Sequence, residues 1–201
     1  MLTRIYAKLK SRGISGLLKA PQRRPPPPQR LEYYPQCKSV FESGIGLEIG
    51  GPSGMFKPHG FIPVYPIAAR IDNCNFNHQT VWEGDIRAGD TFIFNVEKAP
   101  GRQYICEASH LEGIADSSYA YVLSAHCLEH LANPLKCLAE WVRVLKHDGL
   151  LVLVVPHKDG AFDHRRPITT LEHLVEDLEN QTDEGDTRHL DEILRRHDLS
   201  K

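Results

Sequence analysis

The stretch "GLEIGGPSG", residues 46–54, places an acid inside a short apolar run and then opens into glycine. A run of this length with glycine on both sides is typical of a strand that is buried on both faces. Because glycine has no Cβ, backbone N–H groups at Gly50, Gly51 and Gly54 can approach a ligand closely. The stretch indicates a nucleotide or nucleoside site at the end of a central first strand, or, taken alone, a tight turn without a ligand.

Three later apolar runs also end in polar residues and predict further buried strands: "QYICEA" (103–108), "AYVLSAH" (120–126) and "GLLVLVVP" (149–156). Between the last two, "NPLKCLAEWVRVLKHDG" predicts a helix that Asn133 caps and Gly149 ends. Its expected apolar stripe is Leu135, Leu138, Val142 and Leu145. Strand–helix–strand units pair their strands in parallel, so the predicted fold is α/β, an open, doubly wound, mostly parallel sheet. Ligands of such sheets bind at the carboxyl ends of the strands.

The segment after the glycines argues against a dinucleotide. A dinucleotide fingerprint leads into a long helix whose N-terminus holds the pyrophosphate, whereas Pro58, Pro63 and Pro66 exclude a long helix here. Glu48 also repels a diphosphate and suits a ligand with a positive amino group and a sulfonium. These features favour S-adenosylmethionine over NAD as the ligand. An NAD-dependent oxidoreductase is therefore the least favoured of the three hypotheses for this chain.

Acids at two further predicted strand ends support the same ligand. Asp72 lies in the apolar segment "AARIDN", where a carboxylate can accept both ribose hydroxyls. Glu107 and Ala108 follow the next strand, where an acid can accept the adenine amino group and a backbone N–H can meet the ring. Each acid alone is as often an exposed surface carboxylate. Three acids on successive strand ends together indicate a cofactor site.

Residues 41–157 resemble the class I S-adenosylmethionine-dependent methyltransferases, particularly the small-molecule branch with an "LEH" turn after strand four. The resemblance rests on "LEIGGPSG", "CEASHLEGIADSSYAYVLSAHCLEHLANP" and "EWVRVLKHDGLLVLVVPH". It implies a Rossmann-like fold and S-adenosylmethionine as the cofactor. By resemblance, the methionine part is cradled by the first motif, the ribose is held by Asp72, the adenine is held by Glu107 with Ala108, and the pocket is closed near Ser124. The first motif comprises Glu48, Gly50, Gly51 and Gly54.

Methyl transfer to a hydroxyl needs a base near the carboxyl ends of strands four and five. The candidate bases are His126 and His157, whereas His130 in the "LEH" turn is expected to order its loop. The loop "HKDGAFDHRRP" matches no standard zinc spacing, so no metal is expected. Its Arg165 or Arg166 either binds an anionic acceptor or pairs with nearby acids.

The C-terminal part predicts helices and no further strand. "TTLEHLVEDLEN" begins with a capping box from Thr169 to Glu172, and "DTRHLDEILRRHDL" predicts a second helix. The resemblance implies two more strands, so the fold is expected to be C-terminally incomplete. The exposed edge at strand five favours a homo-oligomer. The leading hypothesis is a methyltransferase acting on a small-molecule or sugar acceptor. The alternative is a noncatalytic, truncated or degenerate S-adenosylmethionine-binding or scaffold module.

The first 30 residues differ from the rest of the chain. Residues 1–30 carry eight basic side chains and no acid, and they end in the proline-rich "PQRRPPPPQR". They predict a basic arm and linker, either a solvated tail or a contact to a membrane or a protein partner, ahead of a domain spanning 31–201. That domain divides into a cofactor-binding core, 41–157, and a helical part, 158–201.

Composition restricts the remaining classes of function and location. The five cysteines form no CxxC pair, and no apolar run reaches the roughly 20 residues of a membrane span, so a reduced, cytoplasmic protein is expected. The body lacks a basic, aromatic face, which argues against nucleic-acid binding.

Overall fold

Six strands form one sheet in the computed structural model, which describes residues 32–198. The sheet order is β5-β6-β2-β1-β7-β8, in which β5 is antiparallel to β6 and all other neighbours are parallel. Its strands are β1 (Ile45–Ile49), β2 (Arg70–Asn75), β5 (Gly89–Phe92), β6 (Gly101–Ile105), β7 (Tyr119–Ala125) and β8 (Leu145–Val154). A small separate hairpin joins β3 (Gln79–Thr80) to β4 (Gly84–Asp85). The predicted doubly wound, mostly parallel α/β architecture is confirmed.

An apolar cluster lies on each face of the sheet, and one helix contributes to each cluster. The helices are α1 (Tyr34–Ser43), α2 (Pro134–Val144), α3 (Leu171–Glu179) and α4 (Leu190–Arg196). One cluster includes Phe41 and Tyr121, and the other includes Leu47, Val122 and Trp141. Tyr121 and Val122 are neighbours on β7 that belong to opposite clusters, because successive side chains of a strand alternate between its faces. This two-sided burial explains the continuous apolar runs of the central strands.

The crossover helix α2 is shorter than predicted and turns a different face to the core. The side chain of Asn133 accepts the N–H of Lys136, so the predicted cap forms. The helix ends at Val144, not at Gly149, because Leu145 already pairs with Tyr119 and begins β8. The predicted apolar stripe is wrong in part: the buried residues of α2 are Cys137, Trp141 and Val144, and Val142 is exposed. Leu138 does pack against the core, and Leu145 is buried but belongs to β8.

Proline restricts the segment after the first glycine loop, as predicted. The only helical turn between the loop and β2 is a 3-10 turn at Gly54–Phe56. The sequence reasoning missed β5 and the β3–β4 hairpin, whose polar composition carries no apolar periodicity. The hairpin matters for the site because it brings Trp82 beside the first loop.

Beyond β8 the described residues contain helices and 3-10 structure but no strand, so β8 is an edge strand with β7 as its partner. The side chain of Thr170 caps α3, which moves the predicted cap by one residue from Thr169. The buried residue of α3 is Asp177, which bonds Arg188 ahead of α4.

Residues 1–30, and the expectation of a basic arm, lie outside the described residues. No helix within residues 32–198 is both long enough and apolar enough to cross a membrane.

Candidate functional site

A cavity of about 570 Å³, here called the strand-end cavity, opens where the carboxyl ends of β1, β2, β6 and β7 meet. Its volume falls in the range of small-molecule sites, roughly 300–1,000 Å³. Its position is the one that an open parallel sheet predicts for a ligand. The lining residues are Ile49, Gly50, Cys74, Asn75, Phe76, Trp82, Cys106, Glu107, Ala108, His126, Cys127, His130, Leu131 and Glu184.

Glu48 lies directly behind the glycine loop and is fully buried. One carboxylate oxygen accepts the N–H of Ser53 at 2.9 Å, and the other accepts the hydroxyl of Tyr65 at 2.7 Å. Burial raises the pKa of Glu48 from 4.5 to about 7, although both hydrogen bonds oppose the rise. Glu48 is not among the cavity-lining residues, and its oxygens are used to hold the loop.

The glycine loop needs glycine for two different physical reasons. A Cβ on Gly51 would lie 2.3 Å from the carboxyl carbon of Glu48, so no larger residue fits beside the buried acid. Gly50 has a φ of 75°, a backbone conformation that glycine adopts without strain, and it lines the cavity. A Cβ on Gly54 would meet open space, and Gly54 does not line the cavity.

The carbonyl of Gly51 anchors the loop to neighbouring elements. It accepts hydrogen bonds from Asn73 at 3.2 Å, from Asn75 at 3.0 Å and from the indole N–H of Trp82 at 3.3 Å. The N–H of Gly51 donates to Asn73 at 3.1 Å. The cavity wall at the end of β1 is therefore held by β2 and by the hairpin.

The sequence predicted Asp72 at the end of β2, but the structure places it inside the strand. The strand continues to Asn75, and the carboxylate of Asp72 is buried three residues earlier. Its oxygens accept the Arg70 guanidinium and the N–H of Arg102, both at 2.8 Å, and the hydroxyl of Tyr119 at 3.0 Å. These contacts join β2 to β6 and β7, and Asp72 does not line the cavity.

Asn75 occupies the strand-end position instead. Its side-chain N–H donates to Gly51, but its Oδ1 is buried and has no hydrogen-bond partner in the described part of the chain. A buried polar atom without a partner is costly, and a ligand donor in the adjoining cavity would satisfy it. Two aromatic side chains, Phe76 and Trp82, are about half exposed beside it and line the same cavity. Neither Asn75 nor Trp82 was identified from the sequence.

Two carboxylates face the strand-end cavity on the side of β6. Glu107 follows β6 as predicted, and Ala108 beside it is buried. The pKa of Glu107 is raised, first by loss of solvent and then by the charge of Glu184. Glu184 comes from the loop between α3 and α4, and it accepts the N–H of Ala132. Sequence reasoning had no signal for Glu184, because only the fold brings it to the cavity.

His126 and His130 lie between the strand-end cavity and a second cavity of about 520 Å³, here called the C-terminal cavity. The C-terminal cavity is also lined by residues of the segment after β8, among them Phe162, Asp163 and Arg166, by Ile193 of α4 and by His197 just after that helix. His126 follows β7 with a φ of 53°, an uncommon conformation for a non-glycine residue that recurs at active sites. Its Nδ1 lies 3.5 Å from a carboxylate oxygen of Glu129.

The remaining candidates, with the exception of Arg166, lie away from these cavities. The side chain of His157 is 83 % exposed beside Asp159 and lines neither cavity. Ser124 is buried within β7 and does not line them. Arg165 pairs with Asp198 at 2.7 Å, whereas Arg166 lines the C-terminal cavity. Within residues 32–198 no group of three or more His, Cys, Asp or Glu is placed to hold a metal ion.

Comparison with protein families gives a match over part of the chain. A family model described as a methyltransferase domain matches residues 86–153, which run from the segment before β5 into β8. The matched segment contains Glu107, Ala108 and His126, whereas the glycine loop and Asn75 precede it. A search of curated proteins gave no match.

Proposed function

We propose that this chain is a class I S-adenosylmethionine-dependent methyltransferase, which the match of residues 86–153 to a methyltransferase domain supports, and that it transfers a methyl group to a small-molecule or sugar acceptor. The strand-end cavity carries the proposal, because four parallel strand ends open into one small-molecule space. The bound cofactor supplies a methyl group on a positively charged sulfur.

The charge of the strand-end cavity suits that cofactor. Glu107 and Glu184 both line it, and no lysine or arginine is among its lining residues in the described part of the chain. A positive sulfonium and a positive amino group are attracted to this pair of carboxylates, and a diphosphate is repelled. The same argument disfavours the dinucleotide of an NAD-dependent oxidoreductase.

The polar and aromatic groups of the cavity also suit an adenosine. The unpartnered Oδ1 of Asn75 can accept a ribose hydroxyl, the role first assigned to Asp72. Phe76 and Trp82 offer faces for a purine, and Glu107 with Ala108 keeps its proposed place at the adenine. Gly50 remains at the methionine end, whereas Glu48 and Gly51 act through the shape of the loop, and Gly54 has no role in this proposal.

The C-terminal cavity is the proposed acceptor site. It shares His126 and His130 with the strand-end cavity, so an acceptor bound there reaches the reacting methyl carbon at their border. His126 is the proposed base for a hydroxyl acceptor. Glu129 beside Nδ1 orients the ring and leaves Nε2 to take the proton. His157 has no role in this proposal, because it lies outside both cavities.

Calorimetric titration with S-adenosylhomocysteine tests the cofactor site. We expect micromolar binding by the wild type, and no heat from NADH. Asn75→Ala should weaken binding about threefold to tenfold, since a net hydrogen bond contributes roughly 0.5–1.5 kcal/mol. Glu107→Gln should weaken the binding of S-adenosylmethionine, whose sulfur is positively charged, more than the binding of S-adenosylhomocysteine, whose sulfur is uncharged. The reason is that the lost interaction is with the positive sulfur.

Two exposed residues supply matched controls: Asn180→Ala for the amide and Glu97→Gln for the acid. Both controls should bind as the wild type does. Unchanged affinity in Asn75→Ala and Glu107→Gln would contradict the assigned site. Tight binding of the cofactor without methyl release across a panel of hydroxyl, amine and sugar acceptors would instead support the noncatalytic binding module.

A further inference from the structure

Two thiols meet at the floor of the strand-end cavity. Cys74 is the next-to-last residue of β2, and Cys106 directly follows β6, the neighbouring parallel strand. Their Sγ atoms are 3.5 Å apart, and both residues line the cavity. The N–H of Cys106 donates to the carbonyl of Asn75 at 3.0 Å, which holds the two strand ends together. A disulfide requires the sulfurs to approach to about 2.05 Å, so the side chains need to close by roughly 1.5 Å.

The two thiols differ in their surroundings. Cys74 is buried, and its Sγ can donate to the carbonyl of Cys106 at 3.3 Å or to the Cys106 sulfur. Cys106 is only partly buried, and the cavity gives a small molecule access to it. The hydrogen bond from Cys74 lowers the pKa of Cys106, and the same contact together with burial raises the pKa of Cys74. Cys106 is accordingly the better nucleophile, and Cys74 is placed to resolve its oxidised form.

We infer that Cys74 and Cys106 form a reversible oxidation site for hydroperoxides, and that their disulfide prevents the cofactor from binding. In the first step the Cys106 thiolate attacks one oxygen of the hydroperoxide. The S–O bond forms, the O–O bond breaks, and with uptake of a proton the products are the Cys106 sulfenic acid and water or an alcohol. In the second step the Cys74 sulfur attacks the Cys106 sulfur, the S–S bond forms and water leaves. The two thiols lose two electrons and two protons, and the hydroperoxide is reduced.

The effect on binding follows from the neighbours of the two cysteines. Cys74 precedes Asn75, and Cys106 precedes Glu107, the two side chains proposed to contact the cofactor. The disulfide draws the two sulfurs together by roughly 1.5 Å in the floor of the cavity, between Asn75 and Glu107. A displacement near 1 Å is enough to disrupt a positioned site. This consequence rests on the proposed function, whereas formation of the disulfide does not.

Peptide mapping and calorimetry test the inference on the full chain. The reduced protein is treated with hydrogen peroxide, alkylated, and digested with trypsin and a glutamate-specific protease. Trypsin alone leaves Cys106 and Cys127 in one peptide, 103–136, but Glu107 and Glu112 lie between them and allow separation. We expect a cross-link between the Cys74 and Cys106 peptides, with the loss of two hydrogens. We also expect at least a tenfold loss of S-adenosylhomocysteine affinity that dithiothreitol reverses.

Variants separate the possible outcomes. Cys74→Ser should leave Cys106 to oxidise irreversibly to the sulfinic acid, because the resolving thiol is missing. Cys37→Ser, on α1 and away from the cavity, should behave as the wild type does. A cross-link to Cys127 instead, or no cross-link, overturns the inference. If the reduced wild type binds no cofactor but forms the Cys74–Cys106 disulfide, the proposed function fails and the oxidation site stands.

Discussion

Replacing Glu48 with glutamine should remove a pH dependence of stability that the buried acid imposes. The pKa of Glu48 is raised from 4.5 to about 7 in the folded state, mainly by burial. Between these values the unfolded chain releases a proton that the folded chain retains. Stability is therefore fully present below about pH 4.5 and falls as the pH rises toward 7. The shift corresponds to about 3 kcal/mol, most of it lost between pH 5 and pH 8.

Urea unfolding at pH 5, 6, 7 and 8 and constant ionic strength measures the effect. Many groups titrate in this range, so the informative quantity is the free energy of unfolding of Glu48→Gln minus that of the wild type. We expect this difference to become more positive by about 2 kcal/mol from pH 5 to pH 8. At pH 5 the variant should be equal or less stable, because glutamine cannot accept from both Ser53 and Tyr65.

Glu97→Gln is the matched control, because Glu97 is exposed and its replacement should leave the pH profile parallel to that of the wild type. The free energy of unfolding of Glu48→Gln could also run parallel to that of the wild type across this pH range, within about 0.5 kcal/mol. In that case Glu48 is not buried and uncharged behind the glycine loop, and its role in holding the loop is refuted.

Three further predictions concern Trp82, Asp72 and His126. S-adenosylhomocysteine should quench tryptophan emission with the affinity found by calorimetry, and Trp82→Phe should abolish the quench, because the other tryptophan, Trp141, is fully buried in the core. Asp72→Asn should lower the free energy of unfolding by about 1–3 kcal/mol in urea, whereas the exposed Asp90→Asn should change it by less than about 0.5 kcal/mol. An unchanged midpoint of urea unfolding in Asp72→Asn would contradict the role of Asp72 in joining the strands. Once an acceptor is found, His126→Asn should lower kcat by roughly 10²–10⁴ with cofactor affinity kept, and His157→Asn should leave kcat unchanged. Equal kcat values for these two variants would exclude His126 as the base.

Local patterns were sufficient for the central part of the architecture, although not for β5 or the β3–β4 hairpin. Continuous apolar runs identified β1 and β7, which are buried on both faces, and similar runs identified β6 and the edge strand β8. The prolines after Gly54 excluded a long helix, and Asn133 capped α2, because both effects depend on the backbone of a few adjacent residues. The length of α2 was misjudged, since its end is decided by where Leu145 pairs with β7.

The sequence by itself determined where the central parallel strands lie along the chain and the presence of a glycine-opened first loop, because hydrophobic periodicity and backbone restriction act over short distances along the chain. Only the tertiary structure decided which side chains reach the strand-end cavity. It placed Asn75 rather than Asp72 at the end of β2, and it turned Glu48 back onto the loop. It also brought in Trp82 and Glu184 from distant segments. The end of a strand and the direction of a side chain depend on pairing and burial between remote parts of the chain, which a local pattern does not encode.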